Sequence, residues 1–338
     1  MTNTTKELIS YLTQKKNKID YTIVSAYSYS ILKCGTKLDA DIILEYFISE
    51  PFKFQNIYLL SILEKWGDAV YAEKIIDTCL KNDRLIDPEH SEVLELLGKL
   101  NCSRIEPVLI HYAFNAKTNY YAHKYAVLGL LNFDCKKIEN LIQERISATF
   151  DKGFFEDEFT PALVCKLSNR KDVLLKLYKS GRTQCSSDCN SGIILGLSLC
   201  GKEGLQYFWD VIYNDFWEAS STGTGNVWFV YQGLINLNIS ISELYLDIKK
   251  KTNLTEQNNA VEVLLELIDI RITDHYSNDI LESFTDLYSK LFSWETENIS
   301  NNIVDLAQKF ELETKAYALE KLVELQMREE ILLKNYTK

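Results

Sequence analysis

An all-α fold of stacked helical hairpins is what this sequence predicts, and three observations predict it. Gly and Pro are scarce, 13 and 4 in 338 residues, where a β-sandwich or a doubly wound sheet would need many more turn residues. Apolar residues recur with the helical period along the chain, with no comparable alternation of the strand kind. A helix-turn-helix junction returns at an average spacing of about 34 residues. The length exceeds what one ordinary core supports, which leaves two globular domains or one elongated array, and the recurrence selects the array. With 46% hydrophobic and 25% charged residues, the chain has the composition of a folded protein.

Taken in order, residues 1–52 are expected as an N-terminal helical cap, 53–251 as hairpin repeats and 252–338 as a helical bundle that continues or caps the array. Val93, Leu96, Leu97 and Leu100 follow the i, i+3, i+4, i+7 rule, as do Ile105, Val108, Leu109 and Tyr112. Only Asn101-Cys102-Ser103-Arg104 separates these two runs, so the two helices must lie antiparallel. The spacing returns at Val261, Leu264, Leu265 and Ile268, at Ile280, Phe284, Leu287 and Leu291, and at Ile303, Leu306, Ala307 and Phe310. Asp87-Pro88-Glu89 and Thr160-Pro161 each read as a cap followed by Pro at the first helical position. Gly35 and Gly67 follow helical runs, where a left-handed C-terminal residue is expected. Beyond Thr252 the helices lengthen, and Leu312 to Leu333 carries alternating charges around an apolar stripe suited to capping the last repeat or to self-association.

The junction itself reads Leu97-Gly98-Lys99-Leu100-Asn101 before Ile105-Glu106-Pro107-Val108-Leu109, and Leu128-Gly129-Leu130-Leu131-Asn132 before Ile138-Glu139-Asn140-Leu141-Ile142. Further copies are Val164-Cys165-Lys166-Leu167-Ser168 before Val173-Leu174-Leu175, Leu195-Gly196-Leu197-Ser198-Leu199 before Leu205-Gln206-Tyr207-Phe208, and Gln232-Gly233-Leu234-Ile235-Asn236 before Leu244-Tyr245-Leu246. A weaker copy is Leu60-Ser61-Ile62-Leu63 before Val70 and Ile75. The small residue at 98, 129, 165, 196 and 233 is expected to let the second helix of each hairpin pack close against the first.

This pattern resembles the degenerate HEAT-like repeat family from about Lys53 to Lys251; the tetratricopeptide and ankyrin signatures are absent. The resemblance implies a right-handed, HEAT/ARM-like α-solenoid whose concave and convex faces bind other molecules. It implies no catalytic residue, so none is carried over.

Two longer connections interrupt the repeats. Asp151-Lys152-Gly153-Phe154-Phe155-Glu156-Asp157-Glu158-Phe159 is one, and Glu218-Ala219-Ser220-Ser221-Thr222-Gly223-Thr224-Gly225-Asn226 is the other. They begin about 67 residues apart, two repeats, and are expected to emerge on the same side. Phe154, Phe155 and Phe159 around Glu156, Asp157 and Glu158 suit a basic partner with an apolar anchor. Phe216, Trp217, Trp228 and Phe229 flank the second loop, beside Asn226, with the aromatic density of binding surfaces. Local packing of these aromatics is the alternative use. The Ser-Thr-Gly loop also reads weakly as a phosphate cradle, without the Lys-Ser/Thr ending of a P-loop.

Charge narrows the partner. The formal net charge is −11, and Ser240 to Lys338 holds 19 acidic against 11 basic side chains, an excess of eight. Such a field disfavours nucleic acid and favours a basic protein. No secretory signal and no membrane span is visible, so a cytoplasmic location with reduced thiols is expected. The eight cysteines, at 34, 79, 102, 135, 165, 185, 189 and 200, read as small core residues. Cys185, Cys189 and Cys200 lack a nearby fourth ligand for zinc, and His111 and His123 read as packing residues. No catalytic, cofactor or metal motif is present. The expected function is a non-enzymatic protein-binding solenoid, of the kind of a bacterial immunity or antitoxin-like protein that neutralises a basic toxin. A general scaffold or adaptor is the first alternative. A HEAT-like nucleic-acid-binding protein or DNA glycosylase relative, with Trp209, Trp217, Trp228 and Asp210 in its groove, is the second.

Overall fold

In a computed structural model the described residues are 1–14, 19–115, 119–152, 159–184 and 187–274. Their regular structure is helical apart from one antiparallel pair of two-residue strands, β1 (Leu80–Lys81) and β2 (Arg84–Leu85). No helix among them is long and apolar enough to cross a membrane. The contacts divide the chain into two units, the first holding the described residues up to Asp151 with Phe159–Ser168, and the second beginning at Asn169.

In the first unit the helices are α1 (Asn3–Thr13), α2 (Tyr21–Cys34), α3 (Lys37–Ser49), α4 (Leu60–Trp66), α5 (Ala69–Cys79), α6 (Val93–Lys99), α7 (Glu106–Phe114), α8 (Tyr120–Leu130) and α9 (Glu139–Lys152). Local chemistry starts them where polar oxygens meet orphan amides. Thr2 accepts from the Thr5 amide, Asp68 from those of Val70 and Tyr71, and Asn119 from that of Ala122. Asp39 reaches back to the Thr36 amide at 3.0 Å, with its other oxygen taking the Thr2 amide at 2.6 Å and the Thr5 hydroxyl at 2.7 Å. These bonds hold the buried Asp39 carboxyl at about 2, below its ordinary value and against the opposing effect of burial, the largest single influence on it.

Packing then builds two columns. α2 lies on α4, α4 on α6 and α6 on α8, while α1 lies on α3 and α3 on α5. Consecutive helices also pair, among them α1 with α2, α3 with α4 and α7 with α8. Side-chain hydrogen bonds carry the same step. Lys65 donates to the Leu32 carbonyl (2.5 Å), Lys99 to Glu64 (3.0 Å), Tyr71 to Asp41 (2.6 Å), Arg104 to Glu73 (2.7 Å) and Lys166 to the Phe133 carbonyl (3.0 Å). Their sequence separations are 33, 35, 30, 31 and 33. Three of these donors are lysines near the C-terminal end of a helical turn, the end at which a helix welcomes a cation.

The second unit contains α10 (Arg170–Gln184), α11 (Ser187–Leu199), α12 (Leu205–Tyr213), α13 (Asn226–Leu237), α14 (Ile241–Ile248) and α15 (Leu254–Asp274). α11 packs on α13 and α13 on α15, with α12 against α11, α13 and α15. Side-chain bonds of similar separation recur. Arg170 bonds Glu203 (2.6 Å), Tyr178 bonds Asp210 (2.9 Å), Tyr213 bonds Asp247 (2.6 Å) and Asn236 bonds Ser198 (3.0 Å), at separations of 33, 32, 34 and 38.

The structure corrects several local expectations. Gly35 and Gly67 are not left-handed; Gly67 has φ −73° and ψ 162°, and Gly35 is not among the positive-φ residues. A Cβ at Gly67 would lie 2.2 Å from the Leu63 carbonyl oxygen, so close approach, not torsion, selects glycine there. Left-handed residues near helix ends are Asn101 (φ 51°) and Asn238 (φ 56°) instead. The junction glycines Gly98 and Gly129 bring α6 and α8 together: a Cβ on Gly98 would sit 2.3 Å from Gly129 Cα. Thr160–Lys166 is a 3-10 turn with Phe159, not Thr160, at its cap position, and Asp87 caps a 3-10 turn at Pro88–His90. Cys79, Cys102, Cys135 and Cys200 are buried as expected, Cys165 is intermediate, and Cys34 is exposed. Burial pushes the Cys79 thiol up to about 12 and that of Cys135 to about 11, which keeps both protonated and unreactive. The C-terminal bundle beyond residue 274 lies outside the described residues.

Candidate binding surface

The second long connection lies wholly within the second unit and can be followed residue by residue. α12 ends at Tyr213, and Asn214 accepts from the Phe216 amide, starting the short turn Asp215–Trp217. Glu218 then takes a left-handed conformation, φ 46°, which side chains seldom adopt and which turns the chain away. The loop closes on its own oxygens. The Ser221 amide donates to the Glu218 carbonyl (3.0 Å), the Thr224 amide to the Ser221 hydroxyl (3.2 Å) and the Val227 amide to the Ser221 carbonyl (3.3 Å). Gly225, at φ 78°, delivers the chain into α13. The Ser221, Thr224 and Val227 amides are thereby committed within the loop.

Beneath the loop a buried polar floor ties its two arms together. Asn226 is buried, accepts from the Ser191 hydroxyl at 2.5 Å and donates to the Trp217 carbonyl at 3.0 Å. Buried Asn190 of α11 donates to the same carbonyl at 3.4 Å. The Trp217 ring is 0% exposed, lies 6.0 Å from that of Tyr178, and gives its indole N–H to Asp210 at 3.4 Å. Tyr178 in turn lies 4.7 Å from Tyr207.

Above this floor two aromatic side chains face solvent, Phe216 at 39% and Trp228 at 47% exposure. Asp215 and Glu218, on either side of Phe216 and Trp217, are exposed. Glu262 reaches solvent from α15, and partial burial, then the nearby Asp215, push its carboxyl up from the ordinary value. Among the described residues no basic side chain pairs with Asp215, Glu218 or Glu262. From Glu203 to Ile248 the sequence holds six Asp or Glu and no Lys, Arg or His. The surface therefore offers aromatic faces and uncompensated negative charge together.

Of the expected partner-binding residues, Phe154, Phe155, Glu156, Asp157 and Glu158 lie outside the described residues, and with them the relation between the two loops. Phe159 is buried, its amide donating to His123 Nε2 at 2.9 Å, so its ring anchors a turn and offers no surface. Trp217 and Asn226 are likewise buried and form the floor, and Trp228 is exposed. The sequence reading passed over Asp215, although the absence of basic residues around it was legible. His111 lies near Asn115 Nδ2 (3.3 Å) and edge-on to Tyr112; burial, then Arg84, lower its pKa. Trp217 and Asp210, which a glycosylase groove would need open, bond to each other inside the unit, while Trp209 stacks on Tyr213 at 6.1 Å. Among the described residues no group of three or more His, Cys, Asp or Glu could hold a metal ion. Comparison of the chain with protein-family models, with curated proteins and with solved structures gives no match.

Proposed function

We propose that this chain is a non-enzymatic, HEAT-like stack of helical hairpins that binds a basic protein across the Asp215–Trp228 connection. The observation that carries the reading is the pairing of exposed Phe216 and Trp228 with acids that no described basic residue neutralises, inside a stretch free of Lys, Arg and His. Aromatic side chains supply large contact area at low entropic cost, and the negative field raises the encounter rate with cationic surfaces. Support for stacking comes from helix columns α2–α4–α6–α8 and α11–α13–α15 and from polar bonds one repeat long. In a linear array each repeat touches only its neighbours, which is the pattern those separations follow. A basic toxin, held inactive by the bound chain in the manner of an immunity protein, is the partner of this chemistry that we propose.

The test is affinity capture from an extract of the source cells at near-physiological salt, with wild type, Phe216→Ala and Trp228→Ala as baits. The expected catch is a Lys/Arg-rich protein retained by wild type, released by salt and lost with either variant. Recovery of nucleic acid alone, or of a protein held equally by all three baits, overturns the proposal.

A further inference from the structure

We infer that the partner presents arginine, in preference to lysine, to the Trp228 side of this surface. The inference rests on the basic-partner reading above and adds the identity of the cation. Its geometric basis is the bond from Asn226 Nδ2 to the Trp217 carbonyl, 3.0 Å. That bond fixes the loop's two arms at one point, and the chain runs directly from it to Glu218 on one side and, two residues on, to Trp228 on the other. An exposed indole and an exposed carboxylate that no described basic residue pairs with are thereby attached to the same buried floor. Glu218 is held there by its left-handed backbone and by its amide bond to the Asp215 carbonyl, 2.9 Å. Trp228 is held by its place in the first turn of α13, where its amide bonds the Gly225 carbonyl at 3.2 Å.

Both cations satisfy the charge, but they differ in what they do with a flat aromatic face. Guanidinium is planar, weakly hydrated and able to stack on an indole while its edge N–H groups reach carboxylates. Ammonium is compact and strongly hydrated, and gives up more water to approach a ring. Trp is the best ring for such a cation, and Trp228 is nearly half exposed and, among the described residues, has none of the ring contacts that occupy Trp217, Tyr178 and Trp209. A surface of acids alone would treat the two cations alike; an exposed indole on the same loop separates the two.

The experiment is calorimetric titration of the full chain with two capped peptides of equal length and charge, one alternating glycine with arginine, the other glycine with lysine. The arginine peptide is expected to bind about five- to tenfold more tightly. Trp228→Ala should erase that ratio while leaving lysine-peptide binding near its wild-type value. The double change Asp215→Asn with Glu218→Gln should weaken both peptides and preserve the ratio. Equal affinities for the two peptides, or a ratio that survives Trp228→Ala, overturn the arginine inference and leave the basic-partner reading standing. Failure of both peptides to bind at low salt overturns both.

Discussion

Replacing Gly98 by alanine tests the contact between α6 and α8 on which the proposed repeat register rests. A methyl group there meets Gly129 Cα at 2.3 Å, the Gly129 carbonyl oxygen at 2.6 Å and its carbonyl carbon at 2.7 Å, whereas ordinary contact begins at 3.4 Å. All three are backbone atoms, so no side-chain rotation relieves the overlap, and the helices must part by about 1 Å in a close-packed interior. Two effects oppose each other. Alanine favours the helix by up to about 1 kcal/mol over glycine. Overpacking costs about 1–3 kcal/mol, and the separating helices also lose contacts among Leu94, Leu97, Ala126 and Leu130, each fully buried. Because the overlap is backbone on backbone, the second effect wins, with a net loss of about 2 kcal/mol expected. Urea unfolding followed by circular dichroism measures it, with Gly223→Ala as control. A methyl at Gly223 meets only Ser221 Oγ at 3.9 Å, and should change stability by less than about 0.5 kcal/mol. If Gly98→Ala unfolds at the wild-type urea concentration with an unchanged slope, the two glycines do not face each other, and the 31-residue step between 98 and 129 is not a repeat.

Three other outcomes are expected. Trp217→Ala should cost about 3–5 kcal/mol, removing a fully buried ring and its bond to Asp210, while Trp228→Ala should stay within about 0.5 kcal/mol of wild type in thermal unfolding. His123→Leu takes the acceptor from the Phe159 amide; a loss of about 1–3 kcal/mol should appear together with faster hydrogen exchange at that amide. Asp39 titrates at about 2 when folded, below its ordinary 3.8, so its contribution is complete above pH 4 or so and is lost as the pH falls towards 2. Acid unfolding of Asp39→Asn, less stable at neutral pH, should show a correspondingly shallower dependence through that window.

The helices were legible because their signal is carried by many residues at once: Val93 to Leu100 and Ile105 to Tyr112 each repeat one period, and both segments fold accordingly. Single-residue inferences fared less evenly, for identifiable reasons. Glycine answers two different needs, a left-handed torsion and close approach, and the sequence does not distinguish them. At Gly67 and Gly98 the need is space, while Asn101 and Asn238 supply the torsion. A copy of the junction at Val164 to Ser168 matched in composition, but Thr160–Lys166 forms a 3-10 turn, entered from a buried Phe159 whose amide is fixed to His123. Such a contact between residues 36 apart leaves no local pattern. The candidate surface was legible as a region and not as residues. An aromatic run announces that rings are present, but whether Phe216 or its neighbour Trp217 turns inward is decided by Asp210, Tyr178 and Asn190, none of them in the loop.

That division between neighbours explains how a short connection can be both rigid and available. A binding loop that must order itself on contact loses affinity to the entropy of ordering. Here Trp217, Asn226, Asn190 and Ser191 hold the arms in place from below, so Phe216 and Trp228 leave a fixed base. The floor's hydrogen bonds run from α11 to residues 26 to 35 further on. One of these bonds, from Ser191 to Asn226, also joins α11 to α13. On the proposed reading, loss of the floor damages stability and recognition together, whereas loss of a surface ring removes recognition alone.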